Sequence, residues 1–247
     1  MTSISSFINW LRQSAKGGHL SAIREWAAEL WQGKRTKQDK IEAYKWMLAG
    51  VMKGDVDSRL LLETANLTLS ANEIAQAKQR FESTFIPENK RTLQGLYLSA
   101  RAAYRMWEAN PGAMHIIDVR SQAEYSLTGH APMAFNIPVE TLASYPSPSS
   151  PKLGMRQNPE FISTVKNKFK VTDTLVLICR SGHRSAHAAK LLAKAGYATV
   201  YSVVDGFEGD NITPRGGPNN GRPPANGWKQ AKAPWTYKLR AKLVYSP

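Results

Sequence analysis

Apolar residues in the first third of the chain recur at helical spacing, which predicts an all-α region over residues 1 to about 85. Asp39 precedes one apolar run and Gly54 follows it, as expected for the start and end of a helix. Ser70 and Glu73 form a capping box before the last run. The three consecutive leucines from Leu60 to Leu62 predict the start of a further helix. The three runs are Ile4, Phe7, Ile8 and Leu11; Ile41, Tyr44, Leu48 and Val51; and Ile74, Ala77 and Phe81.

Between residues 113 and 210 the pattern changes to short apolar runs that alternate with helical stretches. The run at 174–178 is apolar at nearly every position, so we expect a strand in the middle of a parallel sheet. Residues 185–195 are rich in Ala and Leu and predict the helix that follows it. This alternation predicts an α/β sandwich with a central parallel sheet. The other predicted strands are 115–119, 134–137 and 200–204.

The chain therefore divides into four predicted regions. Residues 1–85 are helical, and residues 86–112 form a connecting helix bounded by prolines. Residues 113–210 form the α/β domain, in which the Pro/Ser-rich segment 145–151 predicts a surface loop. Residues 211–247 form a basic, Gly/Pro-rich C-terminal extension.

Charge and composition limit the classes of partner. The formal net charge of +14 favours anions such as nucleic acid, membrane phosphates or thiosulfate. No apolar stretch approaches the ~20 residues of a membrane span. Arg12, Lys16 and several serines at the start would also suit a transit peptide, but the spacing of the apolar residues favours a short amphipathic helix.

The single cysteine excludes an intrachain disulfide, so the fold needs no oxidising compartment and we expect a cytoplasmic protein. His183 and His187 are spaced by one helical turn but lack the glutamate of a His-Glu-x-x-His site. We therefore expect neither a bound metal nor a cofactor.

The extension carries seven basic and no acidic residues, interleaved with Trp228, Trp235, Tyr237 and Tyr245. Such interleaving is typical of nucleic-acid binding. The favoured interpretation is that Trp228 and Trp235 anchor the extension to the α/β domain, and nucleic acid is not an expected partner.

Cys179 ends the predicted central strand and lies just before a predicted helix. Backbone N–H groups of the intervening loop and the positive end of the helix would stabilise a thiolate there. Gly182 permits the turn. Arg180 and Arg184 supply charge and N–H donors for a sulfonate-like anion.

Residues 113–210 resemble a rhodanese-like sulfurtransferase domain, which implies a three-layer sandwich. The loop from Cys179 through Arg180, Ser181, Gly182, His183 and Arg184 to Ser185 resembles the family's active-site loop. The resemblance implies that Cys179 is catalytic and that the other loop residues bind substrate. Asp118 and Arg120 could act on the site, but the favoured interpretation is that they support the loop, with Asp118 accepting hydrogen bonds from backbone N–H groups of the loop. The remaining matches are Ile117–Arg120, Glu124-Tyr125, Gly129–Ala131, Ala134–Pro138 and Asp205–Gly209.

Related phosphatases and arsenate reductases have five residues between Cys and Arg, whereas Cys179 and Arg184 are separated by four. The smaller cup favours sulfur over a tetrahedral oxyanion. We expect a double displacement in which Cys179 takes sulfane sulfur from thiosulfate or a similar donor and passes it to cyanide or a thiol.

Residues 26–57 resemble a Sel1-like repeat, a relative of the tetratricopeptide repeat, although an ordinary helical hairpin fits the same pattern. Solenoids need about three repeats for stability. The helical region could therefore bind a protein partner. This leaves an alternative function, an adaptor or sulfur carrier that receives sulfur from that partner.

Overall fold

The computed structural model of the chain describes residues 4–144, 154–210 and 226–246. Two compact units are present, Met1–Arg91 and Thr92–Pro247. The loop expected at 145–151 lies outside the described residues, and so does the first part of the predicted extension, 211–225. No helix in the described ranges is long and apolar enough to cross a membrane.

The first unit is all α, as predicted. Asp39 caps α3 by accepting a hydrogen bond from the backbone N–H of Glu42 (2.9 Å). The predicted capping box at the start of α5 is present. Helix α4 begins at Val56 rather than at Leu60, because the Asp55 carboxylate caps its first turn. The Sel1-like repeat type remains a prediction. The helices are α1 Ile4–Lys16, α2 Leu20–Gln32, α3 Lys40–Met52, α4 Val56–Asn66 and α5 Ala71–Phe85.

The second unit contains the predicted parallel sheet. Its strands lie in the order β1-β7-β6-β2-β3, with β6 in the middle and every pairing parallel. A separate antiparallel pair, β4 and β5, was not predicted. The strands are β1 Tyr97–Leu98, β2 His115–Asp118, β3 Phe135–Asn136, β4 Glu140–Ser144, β5 Gly154–Gln157, β6 Thr174–Ile178 and β7 Thr199–Val203. The helices are α6 Ala100–Ala109, α7 Gln122–Leu127, α8 Phe161–Lys168 and α9 His183–Lys194.

The prediction of one connecting helix over 86–112 is wrong in its first part. Residues Glu88–Lys90 form a single 3₁₀ turn, and only α6 is an α-helix. Between them, β1 pairs with β7 and forms an edge of the sheet. The Ser99 side chain caps α6 by accepting a hydrogen bond from Ala102 N–H. The chain therefore enters the sheet before it forms the helix.

Both faces of the sheet are covered, so the unit has the three layers expected of an α/β sandwich. One core contains residues of β2 and β6 with Phe161 and Val165 of α8 and Leu192 of α9. The opposite core contains alternate residues of the same strands with α6 residues and Trp228. Trp228 is fully buried, which agrees with its interpretation as an anchor. The carboxyl ends of the parallel strands lie at one edge, where open α/β sheets place their ligands.

Candidate active site

Cys179 is the first residue after the central strand β6, and helix α9 starts four residues later. Two backbone hydrogen bonds connect the loop between them to the turn after β7. The Cys179 carbonyl accepts a hydrogen bond from Phe207 N–H (2.7 Å), and the Arg180 carbonyl accepts one from Glu208 N–H (2.9 Å). These bonds fix the position of the loop relative to the sheet.

The Cys179 sulfur is only 1% exposed and has polar neighbours. Gly182 N–H donates to Sγ at 3.1 Å. The Cys179 thiol lies 3.6 Å from the Ser185 hydroxyl oxygen, to which it donates. Ser185 in turn donates to the Gly182 carbonyl (3.1 Å) and is hydrogen-bonded to Ser202 (3.0 Å). An N–H group and a rotatable hydroxyl are thus in place to stabilise negative charge on sulfur.

Two glycines make this loop possible. Gly182, the residue before α9, has φ of 96° and ψ of −12°, a left-handed conformation that other residues rarely adopt. Gly206 has φ of 63°, and a Cβ atom there would lie 2.4 Å from the Arg180 carbonyl oxygen. The turn after β7 approaches the loop this closely only because Gly206 lacks a side chain.

Helix α9 points its N-terminus at the sulfur. The first N–H groups of a helix have no acceptor within it, and the helix dipole adds partial positive charge at that end. The prediction started this helix at Ser185, but it begins at His183. The extra residues carry the helix start closer to Cys179.

Arg184, the second residue of α9, forms an ion pair with a carboxylate. It donates two hydrogen bonds to the Glu124 carboxylate of α7, from Nη1 to Oε2 (2.7 Å) and from Nη2 to Oε1 (2.5 Å). Burial acts to raise the pKa of Glu124, but the hydrogen bonds and charge of Arg184, with the hydrogen bonds of Ser121, lower it to about 2. The same pair raises the pKa of Arg184 against the opposing effect of burial. Arg184 thus ties the start of α9 to α7.

The remaining loop residues face outwards. Arg180 and His183 are exposed, and the Ser181 hydroxyl lies 3.3 Å from Nδ1 of His183. Arg180 is therefore the loop arginine best placed to meet an anion arriving from solvent. The two loop arginines, which the sequence could not tell apart, have different surroundings.

Asp118 and Arg120 form a fully buried ion pair beside the loop, with Arg120 Nη2 donating to Asp118 Oδ2 (2.6 Å). Arg120 also donates to the Thr128 hydroxyl (2.7 Å) and lies 4.2 Å above the Phe207 ring. Asp118 was expected to brace the loop by accepting hydrogen bonds from backbone N–H groups of the loop. Instead it accepts from the N–H and guanidinium of Arg120, and Arg120 lies over the ring of Phe207, whose N–H donates to the Cys179 carbonyl.

Three contributors were not singled out from the sequence: Glu124, Ser202 and Gly206. Glu124 did carry a signal, since Ser121 and Glu124 have capping-box spacing and the structure contains that box. Its pairing with Arg184 bridges 60 positions and has no local signature. Among the described residues, no three or more His, Cys, Asp or Glu side chains are grouped so that they could hold a metal ion.

A family model and several known proteins are similar to parts of this chain. A family model described as a rhodanese-like domain matches residues 99–211. An uncharacterised protein of Rickettsia prowazekii is 31% identical over 135 residues, which are 55% of this chain and 92% of that protein. Thiosulfate sulfurtransferase 16, chloroplastic, of Arabidopsis thaliana is 34% identical over 91 residues, or 37% of this chain and 68% of that protein. A crystal structure of a protein from M. tuberculosis is similar at a TM-score of 0.43 with 25% identity, covering 57% of this chain and 96% of that one.

Proposed function

Because the chain belongs to the rhodanese family, we propose that it is a sulfurtransferase that moves sulfane sulfur through a persulfide on Cys179. The donor is thiosulfate or a similar anion, and the acceptor is cyanide or a thiol. The observation that carries the proposal is the Gly182 N–H directed at Cys179 Sγ, 3.1 Å away, at the start of α9.

In the first half of the reaction, the Cys179 thiolate attacks the outer sulfur of thiosulfate. A new S–S bond forms, the S–S bond of thiosulfate breaks, and sulfite leaves with the bonding electron pair. The product is Cys179–S–S⁻. The first-turn N–H groups of α9 and the hydroxyl of Ser185 would stabilise the terminal sulfur.

In the second half, an acceptor thiolate or cyanide attacks the terminal sulfur and Cys179 leaves as a thiolate. With Cys179 the only cysteine of this chain, no second thiol within it can resolve the persulfide. The sulfur must therefore pass to another molecule, which must reach an atom that is almost completely buried.

The Glu124–Arg184 pair supports sulfur transfer over oxyanion hydrolysis. Arginine has five N–H donors, and Arg184 uses two of them on Glu124. Fewer donors of Arg184 are then left to hold the oxygens of phosphate or arsenate. This agrees with the four-residue spacing between Cys179 and Arg184, which leaves a small cup.

The direct test is intact-mass measurement after incubation with thiosulfate. We expect the wild-type protein to gain one sulfur atom and to lose it when cyanide is added. The Cys179→Ser variant should gain none, while its circular dichroism spectrum stays unchanged because serine is close to cysteine in size.

A second sulfur donor shows whether a negative result concerns only thiosulfate or the persulfide mechanism itself. If thiosulfate adds no sulfur, glutathione persulfide is used in its place, and one added atom on Cys179 would keep the persulfide mechanism while changing the donor. A folded wild-type protein that gains sulfur from neither donor would refute the proposed function.

A further inference from the structure

Part of the extension forms an exposed surface with two aromatic rings and two lysines, which we call the aromatic–basic ledge: Lys229, Trp235, Tyr237 and Lys238. Trp235 is 39% exposed and Tyr237 is 57% exposed. Their ring centroids lie 5.3 Å apart with an interplanar angle of 76°. Residues 226–246 contain five basic and no acidic side chains, so this segment itself is positively charged.

The ledge is linked to the loop that carries Cys179 by a short series of contacts. The Phe207 N–H donates to the Cys179 carbonyl, and the Phe207 carbonyl accepts from Lys229 N–H (3.1 Å). Lys229 Nζ lies 5.4 Å from the Phe207 ring centroid and 4.8 Å from that of Trp235. A single residue, Phe207, therefore joins the ledge to the backbone of Cys179.

Hydrogen bonds also fix the position of the ledge. Thr236 exchanges two backbone hydrogen bonds with His130, both 2.9 Å long. Trp228 Nε1 donates to the Pro234 carbonyl (2.9 Å), so the buried tryptophan fixes the start of the segment. A surface fixed before binding loses little conformational entropy when a partner docks.

We infer that the aromatic–basic ledge is the docking surface for an acidic protein that presents the accepting thiol to Cys179. This inference rests on the proposed function and deepens it, since it names the class of acceptor. Tyr and Trp are among the residues that dominate protein interfaces, and the lysines beside them favour a partner of opposite charge. A partner held there brings its thiol to a sulfur that a freely diffusing protein thiol would rarely reach.

Single-stranded nucleic acid is the competing occupant, because it also favours aromatic rings beside cations. Stacking of a base requires an open ring face. Lys229 lies over one face of the Trp235 ring, and Gly129 packs so tightly against the ring that a Cβ there would lie 2.8 Å from Cε3. The two rings also meet edge to face instead of forming a parallel platform. These contacts favour a protein.

The test uses three short peptides of equal length, each with one cysteine and one leucine. At all other positions the acidic peptide has carboxylate residues, the neutral peptide has serines and the basic peptide has lysines. Protein loaded with persulfide is mixed with each peptide, and the transfer rate is measured by mass spectrometry. We expect the acidic peptide to accept sulfur about tenfold faster than the basic one at low salt, with the difference shrinking as salt is added.

A charge-reversal variant of the ledge, Tyr237→Ser with Lys238→Glu, should lose most of this preference. Its sulfur uptake from thiosulfate and its transfer to cyanide should stay unchanged. The matched control is Lys170→Glu, an exposed lysine before β6 at the opposite edge of the sheet, which should keep the preference. Equal rates for the three peptides, or an unaltered preference in the ledge variant, would overturn the inference.

A binding measurement separates this inference from the proposed function. Fluorescence anisotropy of the labelled peptides with unloaded, reduced protein needs no persulfide. Tighter binding of the acidic peptide that the ledge variant loses supports the ledge even if Cys179 never takes up sulfur. Ledge-dependent binding of a single-stranded oligonucleotide without binding of the acidic peptide would replace the protein partner with nucleic acid.

Discussion

The Glu124–Arg184 pair gives the sharpest prediction about this site. Replacing Glu124 with Gln removes the negative charge but keeps a carbonyl oxygen that can still accept from the N–H and hydroxyl of Ser121. The variant therefore tests the ion pair with little change to the cap of α7. Arg184 would lose its charged partner while remaining largely buried.

The magnitude follows from the pKa of Glu124, which is lowered from 4.5 to about 2. Each unit corresponds to about 1.4 kcal/mol, so the linkage is worth no more than about 3.5 kcal/mol. The Glu124 side chain is 26% exposed, and solvent screening reduces the figure to about 2 kcal/mol. For a domain of this size, this corresponds to a fall in Tm of roughly 4–8 °C.

The pH dependence has a definite sign. The folded-state pKa of Glu124 lies below its unfolded value, so the stabilisation is fully present above about pH 5 and is lost as the pH falls towards 2. We expect wild type and Glu124→Gln to differ by about 2 kcal/mol at pH 7, with the difference shrinking below about pH 4.5 and disappearing near pH 2. Urea titrations at a series of pH values measure both quantities.

A matched control is Glu63→Gln, which removes an exposed carboxylate from α4 and should change stability by less than about 0.5 kcal/mol. Equal stability of wild type and Glu124→Gln at pH 7 would refute the role of the pair. A difference that persists undiminished at pH 3 would show that packing, and not charge, explains the effect.

Four further substitutions test the loop and the residues that contact it. Gly206→Ala should lower the free energy of unfolding by about 2 kcal/mol or more and slow sulfur uptake, because its Cβ would meet the Arg180 carbonyl oxygen at 2.4 Å. An unchanged Tm in thermal unfolding would contradict this. Ser185→Ala should slow the alkylation of Cys179 by iodoacetamide at neutral pH severalfold, and Ser202→Ala should slow it less; equal rates in the three proteins would exclude a role for the hydroxyl. Arg180→Gln should raise KM for thiosulfate about tenfold while Tm stays within about 1 °C, and an unchanged KM would remove this exposed arginine from donor binding.

The sequence predicted those parts of the second unit whose signals are local. The apolar run at 174–178 became the central strand, and Cys179 follows it directly. Gly182 and the Ala-rich stretch after it indicated a turn and a helix, and both are present. Each of these features is decided by residues that are neighbours in the chain.

The features that were missed depend on distant partners. Strand β1 has only two residues, too few for periodicity, and is defined by its pairing with β7. Glu124 and Arg184 meet only after α7 and α9 have packed. Asp118 was expected to accept from N–H groups of the loop, but its carboxylate turns towards Arg120 because a fully buried guanidinium requires a counter-charge.

The burial of Trp228 has a consequence for the order in which the protein matures. Its ring fills a core that also contains Leu98 and Phe207, and the adjacent Gly227 N–H donates to the Asp205 carboxylate (3.0 Å). The ribosome makes these residues after the whole sheet and the cysteine loop. A chain released at residue 210 should therefore expose apolar surface, bind a hydrophobic dye and take up no sulfur. We therefore expect the site to mature only after translation has passed it, so that an incomplete chain carries no reactive thiol.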